Sequence, residues 1–89
     1  MTERIEFEEV IITDRITNKK SDAVAVIRNG RRVALLPEAD RLRRALNLPL
    51  GEIEHIVNDF TKIMKRQPTS DEQEFWKAVL DFKRGQSQV

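Results

Sequence analysis

Residues 3–13 alternate in polarity, with Ile5 and Phe7 on one parity, Val10 and Ile12 on the other, and Ile11 as a further β-branched residue. Period-two alternation marks a half-buried strand. The change of parity between Phe7 and Val10 predicts either a β-bulge near Glu8-Glu9, where one extra residue turns every later side chain to the other face, or an irregular edge strand. Residues 14–22 carry Asn18, Lys19, Lys20 and Ser21 with Ile16 as their one apolar member, and read as a polar loop. Two apolar runs follow, Ala23-Val24-Ala25-Val26-Ile27 and Val33-Ala34-Leu35-Leu36, and between them lies Arg28-Asn29-Gly30-Arg31. Asn-Gly between apolar runs is a strong hairpin signal, because both central positions of a type I′ turn take positive φ, which Asn tolerates and Gly adopts freely. Both runs are apolar on both parities, so one face packs on helices while the other is partly covered or exposed.

The period then changes from two to 3.6. Pro37 ends the strand and can open a helix, where its fixed φ and missing donor cost nothing in the first turn. Glu38 and Asp40 suit the positive end of that helix, and Arg41, Arg43 and Arg44 its later turn. Ala39, Leu42, Ala45 and Leu46 share a face, and residues 47–51, with Pro49, break the helix. Ile53, Ile56, Val57, Phe60, Ile63 and Met64 fall at helical spacing and predict a second helix, closed by Lys65, Arg66 and Gln67 before Pro68. Thr69 with Glu72 is a capping-box pair for a third helix. On it Phe75, Val79 and Phe82 line one stripe and Trp76 and Leu80 the next, with Gly85 as its natural stop. The expected fold is α+β: a small antiparallel sheet, made of the N-terminal strand and the Asn29-Gly30 hairpin, followed by three helices packed on one face in the order βββααα. Residues 1–85 form a single domain and residues 86–89 a frayed tail.

Composition narrows the chemistry rather than the fold. Eighty-nine residues, 39% hydrophobic and 35% charged, support one core and no second one. The chain has no cysteine, which removes disulfides, thiolate metal sites and a cysteine nucleophile. The single histidine, His55, lies about 200° around its helix from Ile53 and faces water; one histidine without cysteine cannot furnish an ordinary zinc site. Ser21, Ser70 and Ser87 fall in a loop, a cap and a tail, with no base beside them. The three glycines are scattered, so no phosphate-cradling loop exists, and the hairpin lacks the aromatics of an RNA-stacking sheet. No apolar run is long enough to span a membrane and the start is acidic rather than signal-like. The chain therefore reads as cytoplasmic, without a membrane partner, non-enzymatic and without a cofactor or metal.

Charge is the one regional bias. Formal net charge is +1, yet residues 14–50 hold nine cations against four anions, an excess of five that is rich in arginine. Arg28, Arg31 and Arg32 surround the hairpin turn, and Arg41, Arg43 and Arg44 stand on the first helix. Guanidinium forks suit carboxylates and phosphates alike. The bland alternative is a solvated surface offset by Glu3, Glu6, Glu8 and Glu9 if the three strands pair. Residues 42–57 have the outline of a helix-turn-helix, but the helix after the turn presents Glu52, Glu54 and Asp59, the wrong sign for a reading helix.

Leu48-Pro49-Leu50-Gly51-Glu52-Ile53, Phe60-Thr61-Lys62 and Arg66-Gln67-Pro68-Thr69 resemble the helical linker that precedes the catalytic part of phosphoribosylformylglycinamidine synthases, over about a quarter of the chain. That family continues with a Ser-Glu-His-Cys signature. Here Trp76-Lys77-Ala78-Val79-Leu80 follows instead, so the resemblance carries over no catalytic residue.

The expectation drawn from these residues is a small non-catalytic interaction or regulatory protein, a phage-type or an accessory factor among the options, that docks on another protein with an acidic surface, or on a second copy through the sheet. Its partner-binding candidates are Arg28, Arg31, Arg32, Arg41, Arg43 and Arg44 with Trp76 and Phe82. Ile11 and Ile16 join Trp76 and Phe82 as apolar groups beyond what one stripe per element buries. The alternative is sequence-tolerant nucleic-acid binding by the hairpin tip and the first helix.

Overall fold

The computed structural model describes residues 4–87. Strands β1 (Ile5–Thr13), β2 (Lys20–Arg28) and β3 (Arg31–Pro37) form one antiparallel sheet in the order β1-β2-β3. Helices α1 (Asp40–Leu46), α2 (Leu50–Met64) and α3 (Ser70–Ser87) follow. The chain is thus the α+β fold, βββααα, that the polarity pattern predicts.

The hairpin joins β2 to β3 through Asn29 (φ 52°) and Gly30 (φ 82°), both in the positive-φ region that a type I′ turn requires. Asn29 also anchors β1: its side-chain Oδ1 accepts the Arg4 amide at 3.0 Å, and its own amide donates to the Arg4 carbonyl at 2.8 Å. The loop between β1 and β2 is shorter than the polarity of residues 14–22 suggests, because Lys20, Ser21 and Asp22 belong to β2. Asp14 organises it. Its carboxylate accepts the amides of Ile16 (2.8 Å) and Thr17 (3.4 Å), its amide donates to the Lys19 carbonyl, and its carbonyl accepts the Asn18 amide. Those backbone hydrogen bonds, Ile16 first, hold the Asp14 carboxyl below its ordinary pKa.

Three expectations need correction. The register between β1 and β2 runs unbroken from Ile5 opposite Arg28 to Thr13 opposite Lys20, so there is no bulge at Glu8-Glu9. The parity change has another cause. Ile5 and Phe7 pack against the core, whereas farther along the strand Glu9 and Ile11, on the same parity, are exposed and the apolar positions move to the opposite face. The sheet's irregularity lies in β3 instead, where partners step from Val26–Ala34 to Ile27–Arg32 and leave Val33 as the extra residue. Pro37 does not open a helix. It closes β3 opposite Ala23, Glu38 (φ 68°) turns the chain, and α1 starts at Asp40. Gly85 does not stop α3, which continues to Ser87 without a positive φ at that glycine. Of the expected frayed tail, residues 86 and 87 are helical, and 88–89 lie outside the described residues, as does Glu3.

The core gathers on one side of the sheet. Val24, Val26, Ala34 and Leu36 meet Phe75, Ala78, Val79 and Leu80 of α3, with Ala45 of α1 and Ile53 of α2 completing the cluster. Phe7 reaches α3 edge-on, its ring 6.4 Å from Phe75 and 5.7 Å from Phe82. Helix α2 packs on α3 and bends at Asp59 (φ −123°, ψ 29°). Lys83 ties α3 to α1, its Nζ donating to the Leu46 carbonyl at 3.0 Å, where a cation meets the negative end of a helix. Among the described residues no helix is long and apolar enough to cross a membrane.

Candidate functional site

The six arginines nominated from sequence fall into two groups at opposite ends of β3. Arg31 opens the strand at the hairpin and Pro37 closes it before α1. Six residue steps of about 3.3 Å put roughly 20 Å between those ends. The hairpin tip and the first helix therefore present two separate surfaces, not one basic face.

At the hairpin end the three arginines also part from one another. Arg28 and Arg31 are cross-strand partners, and like charges placed opposite each other repel. Arg28 turns to α3, where its Nη2 donates to Asp81 Oδ2 at 3.4 Å and its Nε lies 3.6 Å from Glu74 Oε2, with only 12% of its side chain exposed. Arg31 and Arg32 stay exposed, Arg32 on the opposite side of the sheet in one row with Ile27 and Glu6. Phe82 is half-buried under Phe7.

At the other end of β3, Arg43 and Arg44 share a hollow of about 460 Å³ with Asp22, Glu38 and Asp40, and Arg44 lies 3.4 Å from Glu38 Oε2. Three carboxylates against two guanidiniums leave no excess positive charge there. Arg41 faces the other way, 4.0 Å from Glu72 Oε2.

Glu72 is the centre of the best-built polar cluster. The capping box forms as its sequence predicts: the Glu72 amide donates to Thr69 Oγ1 and the Thr69 amide to Glu72 Oε1, both at 3.1 Å. Arg66 then closes on the same carboxylate with Nη1 at 2.7 Å from Oε1 and Nη2 at 2.6 Å from Oε2. Its guanidinium also lies 5.3 Å from the centre of the Phe60 ring. These hydrogen bonds, the Arg66 fork first, hold the Glu72 carboxyl down to about 2 and raise Arg66 further. No buried side-chain polar atom among the described residues lacks a partner, and no group of acidic and histidine side chains there converges as a metal site would. His55 is exposed and its Nδ1 lies 3.1 Å from Asp59 Oδ2.

Arg41, Arg44 and Trp76 do come together. With Phe60, Met64 and Leu48 they line a groove of about 370 Å³ walled by α1, α2 and α3. Trp76 and Phe60 also line a neighbouring trough of about 450 Å³ with Val57 and Leu80. The indole, set edge-on to Phe75 at 5.3 Å, stands between the two hollows. Sequence reasoning counted Phe60 as core and placed Met64 on the buried stripe of α2. Phe60 is buried, but Ile63 and Met64 are exposed, so the stripe outruns what α3 covers. The signal that could have located this groove is the two-residue excess of that stripe just before the Pro68 turn.

Comparison with protein-family models, with curated proteins and with solved structures gives no match.

Proposed function

We propose that this chain is a non-catalytic docking protein whose groove between α1, α2 and α3 receives an apolar side chain from an acidic segment of another protein. The observation that carries this reading is the gathering of Trp76, Phe60 and Met64 with Arg41 and Arg44 around one groove, which Arg66 and Glu72 also line. An aromatic floor excludes water from an inserted side chain, and arginines at the rim meet carboxylates with paired donors. Trp76 is the chain's single tryptophan and so reports occupancy of the groove by its own emission.

The test pairs capture of a partner with that emission. Wild type and the Arg31→Glu/Arg32→Glu variant are expected to retain the same partner, while Trp76→Ala and Arg41→Glu/Arg44→Glu lose it, with circular dichroism verifying the fold of each. Titration of wild type with the purified partner should shift tryptophan emission to the blue. Retention by the groove variants and loss by the hairpin variant would overturn the reading. Nucleic-acid binding draws no support from arginines split between two ends of a strand. Retardation of DNA or RNA that weakens steeply with salt would reinstate it.

A further inference from the structure

The side of the sheet that no helix covers has a charge order of its own. The register sets Glu6, Ile27 and Arg32 in one row, Glu8, Ala25 and Leu35 in the next, and Val10, Ala23 and Pro37 in the third. These positions have the opposite parity to Val24 and Val26, which enter the core. This face is thus acidic on β1 at Glu6 and Glu8, apolar along β2 and basic at Arg32 on β3. Ala23 and Ala25 are buried although no helix lies over them, so the longer side chains of β1 and β3 close in from both sides. Glu6 is 2.6 Å from Arg4, whereas the side chains of Glu8 and Arg32 make no ion pair or hydrogen bond with another described residue.

Such a face is complementary to itself. Turned about a two-fold axis parallel to the strands, a second copy lays its β3 over β1 and its β2 over β2. Arg32 of one copy then stands opposite Glu6 of the other, with Glu8 one row away, and the pair occurs twice. An axis perpendicular to the strands would stack carboxylate on carboxylate. The side chains of β1 and β3 that close over the central alanines make the contact, at the ordinary spacing of about 10 Å between packed sheets. We propose that two copies of this chain associate face to face through the helix-free side of the sheet, with Glu6 and Glu8 of each copy meeting Arg32 of the other. This surface is distinct from the Trp76 groove and does not depend on it.

Size sets the strength. Three strands by three rows, each row two residues deep, cover roughly 15 Å by 20 Å, a footprint of about 300 Å². A stable interface takes about 800 Å² from each partner. The dimer is therefore reversible and populated at high protein concentration.

Sedimentation equilibrium of the full chain over a wide concentration range tests this directly. The mass should rise from monomer to dimer, and less so in high salt. Arg32→Glu and Glu6→Arg should each weaken association about tenfold or more, since each sets like charges face to face. An equimolar mixture of the two variants should associate again, and the doubly exchanged variant should pair with itself. Neither position is in the core, so circular dichroism should be unchanged. A monomer at every concentration, or a dimer indifferent to the charge changes, or a mixture without rescue, would overturn the proposal. Trp76→Ala should leave the dimer intact, so failure here and failure of the groove reading give different results.

Discussion

At the corner where α2 turns into α3, Arg66 lays two nitrogens on the Glu72 carboxylate and Arg41 approaches the same group, whereas at the hairpin tip Arg31 and Arg32 stand in solvent. Each region contributes two arginines. What separates them is how the neighbouring acid is held. Glu72 is fixed by the start of a helix, through its reciprocal bonds with Thr69, so Arg66 meets a carboxylate that is already oriented. The tip offers Arg31 only another arginine across the turn, and α3 takes that one away through Glu74 and Asp81. The corner commits the Arg66 charge to the fold, whereas the fold makes no use of the charge on Arg31 and Arg32.

Removing the acid at the corner should produce the largest effect. Glu72→Ala deletes half of the capping box and a buried carboxylate bonded to Arg66, a loss of about 2 kcal/mol. For a chain of this size that lowers Tm by roughly 10 °C in thermal unfolding. A loss no greater than that from changing Arg31 would erase the contrast between the regions.

Acid should dissolve the corner in the same way. The folded-state pKa of Glu72 is about 2 against an ordinary 4.5, so folding favours the ionised form. Its contribution is complete above pH 4.5 and declines as pH falls from there toward 2. Urea unfolding at pH 6 and at pH 3 should show wild type losing more stability than Glu72→Gln, which has no proton to take up. Equal losses in both would place the acid sensitivity elsewhere.

Arg28 sits between the two extremes. It belongs to the hairpin by sequence and to the helix by contact, with partners on α3 that are themselves about a third exposed or more. Arg28→Ala should cost about 1 kcal/mol in chemical denaturation, below Glu72→Ala and above any change at Arg31.

The same contrast explains what could be read in advance. Asn29-Gly30 and the Thr69–Glu72 box are made of neighbours in the chain, and their conformations follow from local sterics and short hydrogen bonds. Arg28 looked like a tip residue because its engagement with Asp81 spans 53 positions of sequence. Pro37 allowed two outcomes, the first turn of a helix or the last place in an edge strand, and pairing with Ala23 decided between them. The grouping of Arg41, Arg44 and Trp76 required the crossing of three helices, which helical period alone does not specify. Counting charges over residues 14–50 merged two surfaces that β3 holds apart.

The smallest effect belongs to Arg31. It is exposed, has no acidic partner within the sheet and faces Arg28 across the turn. Arg31→Ala removes a like-charge neighbour and no packed atoms, so stability should change by less than about 0.5 kcal/mol, with a gain as admissible as a loss. Denaturant midpoints of this variant and of Arg28→Ala, measured together, separate two arginines only three positions apart. Equal losses would mean that the turn itself needs both guanidiniums. A near-silent Arg31 beside a costly Arg28 would leave the Arg31 charge outside the folding balance.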